Sequence, residues 1–561
     1  MYLRTIGRRN KDGSEVRYVQ LAHNEWDSGR KCSVARVIHS FGREDQLDRA
    51  ALARLVRSLS RVLEPEQALI ASAPAELEFV RSVPLGGAWA LDGLWRQLGI
   101  DAAIERLLTA RRLDVRAERL LFAMVANRAL APFSKLACCE WLAADVAIPG
   151  LAADAVGEDP QPLYRAMDWL LEIEAQLAEQ VYWATADLLN LEVDLLFFDT
   201  SSTYFERDEP DAETVDEDGV TRPAFRTFGH SKDSRDDLPQ VVIGMAVTRT
   251  GIPIRAWCWP GNTSDQPLIR QVKDELREWK LSRVVWVADR GFQSAENRRY
   301  LQRAGGHYII GEKLRGESVE AKAALARQGR YRTVAGNLQV KEVRVDDGTM
   351  RDRFVICRNP DQADRDEAVR DQIISQLEHA ITGSDQLSAT ERAKLAARLQ
   401  AKRGFKRLLR QTPGGLLRID RAAVRAEAHL DGKFLLRSSD PTLSAEDIAL
   451  GYKQLLQVER GWRDMKTTID LRPVHHRKED RIRAHVQLCW LALLLIRIAE
   501  NQTADTWRNV RRELQRLHQG TFRGNAGLVQ KTSETTAAQL RILRALDLQA
   551  PPSFPALDVA A

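Results

Sequence analysis

The stretch LSAEDIALGYKQLLQVERGWRDMK (443–466) places a phenol, a carboxylate and an ammonium at seven-residue intervals: Tyr452, Glu459 and Lys466. Seven residues are close to two turns of an α-helix, so the three share one face, with Trp462 a turn beyond the acid. Ser444, followed three residues later by Asp447, marks the helix N-terminus, and only Gly451 and Gly461 interrupt the run. Such a set can hold a metal ion and phosphates, although a solvated charged face is the plainer reading of this helix alone. Residues upstream must decide between the two.

Two further acids have informative positions. LEVDLLFFDTSSTYFE is a near-continuous apolar run of the kind found in central strands, and Asp199 follows Phe197-Phe198 where that strand leaves the core. SRVVWVADRGF is a second buried strand that also ends in an acid, Asp289. Between them lie two strands joined at Arg249-Thr250-Gly251 and the helix QPLIRQVKDELREW; after them come the helix SAENRRYLQRAG and the strand GGHYIIGEKL. The order β(Asp)–β–β–α–β(Asp)–α–β predicts an α/β fold with an RNase H-like core, in which the first and fourth strands are neighbours and their acids sit at adjacent strand ends. Two carboxylates there repel each other unless a divalent cation neutralises them, and oxygen ligation by Mg²⁺ from carboxylates and phosphate fits.

The rest of the chain must position these groups. Residues 1–84 are read as a small β-rich region plus the helix 45–63; YLRTIGRR, EVRYVQLAHNEW and KCSVARVIHSFG alternate as strands separated by NKDG and DSG. Residues 85–190 repeat apolar positions at three and four, which predicts a helical domain. The core then runs over 191–314, is interrupted by a mostly β insertion subdomain at 315–442, and resumes at 443–500 with the Glu helix and a bracing helix. Residues 501–561 carry helices and a Pro-rich tail expected to be disordered. The acidic stretch 206–223 is expected to be a mobile loop.

The charge balance of +5 is modest but uneven. Residues 1–63 hold thirteen Lys/Arg against seven Asp/Glu, and residues 401–428 hold eight against two, while 206–218 hold eight acids and one Arg. Basic patches on a near-neutral protein suit a polyanion bound at defined places, and 402–425 is expected to lie over DNA. The six cysteines show no CxxC and no Cys/His ligand spacing, which predicts a reduced intracellular protein without structural zinc. No secretory signal is expected at MYLRTIGRRN, and the apolar run VQLCWLALLLIRI (486–498) reads as a buried helix too short to span a bilayer. The pair His475-His476 reads as loop packing or a phosphate contact.

Four motifs in order, FFDTSSTYFE, GHSKDSRDDLPQ with GNTSD downstream, VADRGF, and Y-x6-E-x6-K, resemble those of the DDE transposases of bacterial insertion sequences, in the branch with a strand-rich insertion between the second Asp and the Glu. The resemblance covers roughly residues 1–500 in layout. It implies that Asp199, Asp289 and Glu459 are a catalytic, metal-binding triad for two Mg²⁺ ions (or Mn²⁺), and that Tyr452 and Lys466 hold DNA phosphates. Arg290, Lys232, Arg235 and Arg463 are further phosphate-contact candidates. It also implies a bacterial cytoplasmic, nucleoid-associated protein acting on double-stranded DNA, both terminal inverted repeats and target, as a homodimer in a synaptic complex. The sequence departs from the family at Leu455, where an Arg is usual, and in having no Trp within 315–440 to stack a flipped base. Tyr331, Phe354, Phe405 or Trp462 could supply a flat ring instead.

The expected activity is metal-dependent strand cleavage and strand transfer by in-line displacement at phosphorus. A catalytically inactive or domesticated DNA-binding protein of the same fold, and a general nuclease indifferent to terminal sequence, are the alternatives.

Overall fold

The computed structural model of the chain describes residues 1–9, 15–29, 31–63, 77–114, 116–189, 195–215, 219, 221–277, 279, 284–315, 318–346, 351–524 and 527–559. The turn expected at NKDG (10–13) lies outside them, as do residues 347 and 348 of the turn signal Asp346-Asp347-Gly348. The chain forms two compact units.

One unit contains residues 1–82, 519–534 and 551–561. Its first sheet is the antiparallel meander Tyr2–Arg9, Glu15–Asp27, Cys32–Arg43, as the alternation predicts. The helix that follows begins at Arg49 rather than residue 45, because Asp48 accepts a hydrogen bond from Ala51 N (2.9 Å) and so caps it. In a second sheet, Ala556–Val559 pairs with Gly527–Thr532, which pairs with His518–Gly524. The tail expected to be disordered therefore ends in a strand, its backbone groups satisfied by the neighbouring ladder.

The other unit contains residues 83–518 and 535–550 and is built on a nine-stranded sheet. In chain order its strands are β1 (Leu195–Tyr204), β2 (Gln240–Val247), β3 (Pro253–Pro260), β4 (Val285–Ala288), β5 (His307–Glu312), β6 (Arg332–Ala335), β7 (Leu338–Asp346), β8 (Arg351–Arg358) and β9 (Lys433–Ser438). Across the sheet they run β6-β7-β8-β9-β5-β4-β1-β2-β3. The β1–β4 and β4–β5 pairs are parallel and all others antiparallel. The two first acid-bearing strands are thus neighbours. Every residue of β2 is buried, which explains why this region reads as a continuous apolar run.

The helices Gly86–Gln97, Ile100–Ala110, Ala117–Leu130, Lys135–Ala144 and Gln161–Leu188 share one apolar core with this sheet. The helix Glu479–Thr503 is long and apolar enough to cross a membrane, but its apolar stretch is buried inside the protein. It braces β3 and the helices Ala117–Leu130 and Gln161–Leu188.

The insertion is not mostly β. Its strands β6 to β9 extend the core sheet instead of forming one of their own, and more of its residues are helical. The helices Pro360–Ile381, Ala389–Gln400, Arg403–Leu408 and Arg421–Ala428 enclose a separate core of Leu377, Leu399, Phe405, Leu408 and Leu417. Their charged faces disguise this small core in the sequence. The acidic stretch is not free either: Asp211 accepts from Arg226 N (2.9 Å) and pairs with the Arg226 and Arg207 guanidiniums, and Thr214–Val215 pairs with Thr221–Arg222. These cations offset part of the repulsion that predicted mobility.

Candidate active site

Asp199 and Asp289 are placed by strand register. The parallel β1–β4 ladder runs from Leu195↔Val285 to Phe198↔Ala288, and the next residue of each strand is the acid. Asp199 is not at a strand end, however: β1 continues to Tyr204 because β2 goes on pairing with it, Asp199 opposite Met245. Asp289 does end β4. Its Oδ1 accepts from Gly291 N (2.7 Å) and caps the short turn Arg290–Phe292. Burial pushes the Asp199 carboxyl up to about 6; Lys232 opposes this, and Asp289 and Asp265 add to it.

Lys232 faces these acids. Its Nζ donates to Thr200 O (2.6 Å) and Thr200 Oγ1 (2.5 Å), and lies 3.2 Å from Asp265 Oδ2 and 3.9 Å from Asp199 Oδ1. Thr200 Oγ1 in turn donates to Asp265 Oδ1 (2.8 Å). Asp265 was only the last letter of GNTSD in the sequence, and nothing in its spacing marked it as a neighbour of Asp199.

The stretch 443–466 is not one helix. Ser444 and Asp447 form the expected capping box, but Ala445–Lys453 and Leu456–Thr467 are separate helices. At the join Leu455 N bonds Tyr452 O (3.0 Å) and Val458 N bonds Leu455 O (3.0 Å), tighter three-residue bonds that interrupt the α ladder. Tyr452 and Glu459 therefore do not share one continuous face. Leu455, where the family usually has Arg, is in the apolar core, so no phosphate contact comes from that position. Tyr452 stacks on Phe434 with ring centroids 6.1 Å apart and covers Gly311, where a Cβ would lie 2.4 Å from its hydroxyl. Burial pushes its phenol up to about 12, with Asp289, Asp199 and Glu459 adding to the rise and Arg290 opposing it. All three acids thus act on one phenol. Glu459 is exposed, and among the described residues no three His, Cys, Asp or Glu side chains converge as a metal-ligand set. Arg290 and Arg463 are also exposed.

Lys466 is not a free cation. Its Nζ pairs with Asp233 Oδ1 (2.8 Å), and Arg472 Nη1 pairs with the other oxygen of that carboxylate (3.1 Å). Both cations line a cavity of about 820 Å³ together with Tyr204, Arg207, Arg226, His475, His476 and Arg477. Arg235 pairs with Asp237 (2.8 Å) and covers the Tyr204 ring at 5.1 Å; Arg472 also covers that ring, at 4.6 Å. The sequence reading missed Asp233 and Arg472; their only signal was Asp233's place beside Lys232.

Three of the proposed stacking rings are packed away. Phe354 lies under Arg437, Phe405 belongs to the helical core of the insertion, and Trp462 is in the main core. Tyr331 is half-buried with Lys341 over its ring. His476 packs edge-on against Tyr164 and tilts against His485, so it is a loop-packing residue as well as cavity lining.

The chain is similar, at 11% identity and a TM-score of 0.36, to the piggyBac transposase synaptic complex with hairpin DNA, over 78% of this chain and 82% of that one. No curated protein matches the chain. The family described as IS1634 family transposase, N-terminal domain, matches residues 3–69. The family described as transposase DDE domain matches residues 211–495, just over half of the chain, a span that includes Asp289 and Glu459 and begins after Asp199. The protein belongs to the DDE-domain transposases of insertion sequences.

Proposed function

We propose that this transposase cuts DNA at the ends of its element and joins the freed 3′ ends to target DNA, with Asp199, Asp289 and Glu459 as the catalytic acids of an RNase H-like core. The observation that carries the reading is the shared register of Asp199 and Asp289 beyond Phe198↔Ala288. Two oxygen-only side chains at one level of a sheet match the ligand preference of Mg²⁺ or Mn²⁺. Glu459, which does not converge with them in the described structure, would have to join them to hold two such ions, which would supply Lewis-acid charge at the reacting phosphate.

The chain's own residues do the remaining work. In cleavage a water oxygen bonds to phosphorus as the bond to the 3′ oxygen breaks; in joining, that 3′ hydroxyl bonds to a target phosphorus in line as the bond from that phosphorus to the target strand's own 3′ oxygen breaks. Tyr452 keeps its proton, since its phenol is pushed up to about 12, and can donate a hydrogen bond to a phosphate oxygen. Lys232 supplies positive charge beside Asp199, Lys466, Arg472, Arg290, Arg463 and Arg235 are the further candidates for phosphate contacts, and positioning of the scissile phosphate carries much of the rate. The basic N-terminal unit is the expected reader of element ends, and a homodimer is the expected synaptic assembly.

Supercoiled or end-bearing DNA incubated with Mg²⁺ tests this. Nicking by wild type and its loss in Asp289→Ala are expected; undiminished nicking by Asp289→Ala would refute the assignment.

A further inference from the structure

Two adjacent residues of one loop make opposite contacts. Lys232 turns toward Thr200, Asp199 and Asp265, whereas Asp233 turns toward Lys466 and Arg472. The loop is fixed in this shape. Ser231 Oγ accepts from Asp233 N (3.2 Å) and Arg235 N (3.1 Å), Ser231 N donates to Asp236 Oδ1 (2.7 Å), and Lys232 N donates to Ser202 Oγ (2.9 Å). Ser234 takes the left-handed conformation that reverses the chain.

The Asp233 contact has the form of a bound phosphate. One carboxylate oxygen meets an ammonium and the other a guanidinium, and all three side chains are at most 24% exposed. Beyond them the cavity adds Arg207, Arg226 and Arg477, against the single acid Glu206 among the described residues. Arg207 and Arg226 are already paired with Asp211, so Lys466 and Arg472 are the cations whose partner an incoming anion must replace.

We propose that Asp233 is a resident stand-in for a DNA phosphate: it holds Lys466 and Arg472 in place in the free protein and is displaced from them by a phosphodiester of the bound strand. The cavity behind takes the strand leading from that phosphate. Asp233 is thus a positioning residue that keeps two half-buried cations paired and aimed, and competes with DNA for them. The inference rests on the DNA reading above and assigns the anion site's resident occupant, which that reading does not contain.

The test is binding of a fluorescein-labelled random-sequence duplex without divalent metal, followed by anisotropy. Asp233→Asn, nearly isosteric but uncharged, is expected to bind roughly three- to tenfold more tightly, because no charged competitor opposes the exchange. Asp233→Glu should bind as wild type does. In a Lys466→Ala/Arg472→Ala background the Asp233→Asn gain should vanish. Equal or weaker binding by Asp233→Asn, or a gain of the same size in the double-alanine background, overturns the proposal. Inorganic phosphate in place of the duplex distinguishes the sources: a response confined to DNA supports a strand phosphodiester, and an equally strong response to free phosphate overturns that assignment. Because no metal is present, the outcome is independent of whether Asp289 supports nicking.

Discussion

Asp199 and Asp289 stand one residue beyond the same parallel pair, Phe198↔Ala288, so the backbone of two neighbouring strands sets their spacing. Side-chain flexibility contributes little to that spacing, because Phe197, Phe198, Val287 and Ala288 beneath them are fully buried. The acids are held close at a cost in repulsion and desolvation, visible in the raised Asp199 carboxyl. Preformed electrostatic sites characteristically carry such a cost in the free protein.

Glu459 is exposed, and among the described residues its carboxylate makes no hydrogen bond or ion pair. Glu459→Gln is therefore expected to abolish strand cleavage, by roughly a thousandfold or more, while changing stability by less than about 0.5 kcal/mol. DNA affinity should stay nearly unchanged, since it rests on distributed Lys/Arg contacts. Parallel nicking and anisotropy titrations check this, and an equal loss of binding would make Glu459 structural.

Gly311 leaves room for a ring. A Cβ there would come within 2.4 Å of the Tyr452 hydroxyl and 3.3 Å of Arg290 N. Gly311→Ala is expected to push Tyr452 out of line and slow cleavage about tenfold or more, an effect of misplacement at a distance from the reacting atoms. Tyr452→Phe, which keeps the ring, separates loss of the hydroxyl from loss of its position; single-turnover cleavage rates measure both.

Arg497 is almost wholly buried and pairs with Asp464 (2.5 Å) and Glu500 (2.6 Å). Arg497→Met should destabilise by about 2 kcal/mol or more, because it leaves the half-buried Asp464 without this cation and Glu500 with Arg460 alone. Arg460 pairs with the same Glu500 from a position 42% exposed, and Arg460→Ala should cost less than about 1 kcal/mol. Thermal unfolding of the two variants gives the comparison.

Burial pushes the His476 imidazole down to about 3, with Lys135, Arg481 and Arg128 acting in the same direction, and His485 is lowered likewise. The folded protein holds His476 neutral while the unfolded chain takes up a proton near pH 6.5. Its contribution to stability is complete above about pH 6.5 and is lost progressively as pH falls toward about 3. His476→Phe should show a shallower fall in melting temperature between about pH 7 and pH 5 than wild type does; equal slopes would contradict the assignment.

Strand order and the acids were legible in the sequence because both follow local rules: buried strands read as apolar runs, and each acid directly follows one. The Ser444–Asp447 cap was legible for the same reason. The break at Gln454-Leu455 was not, since both residues keep helical backbone angles and only the bonding pattern changes. The pairing of Lys466 with Asp233 spans more than two hundred residues and depends on tertiary packing. Trp462 illustrates the same limit: its spacing put it beside Glu459, but packing turned its ring into the core. The insertion misled because strands that extend an existing sheet and strands that build a new one have the same alternation.

That extension has a mechanical consequence. β9 is hydrogen-bonded to β5 on one side and β8 on the other, and β5 is bonded to the strand that ends at Asp289. Load applied to the outer strands of the insertion passes through continuous hydrogen-bonded ladders to the acid-bearing strands. Excising the insertion would strip β5 of its outer partner and leave a raw edge beside the acid-bearing strands, so this insertion cannot be removed as a detachable module.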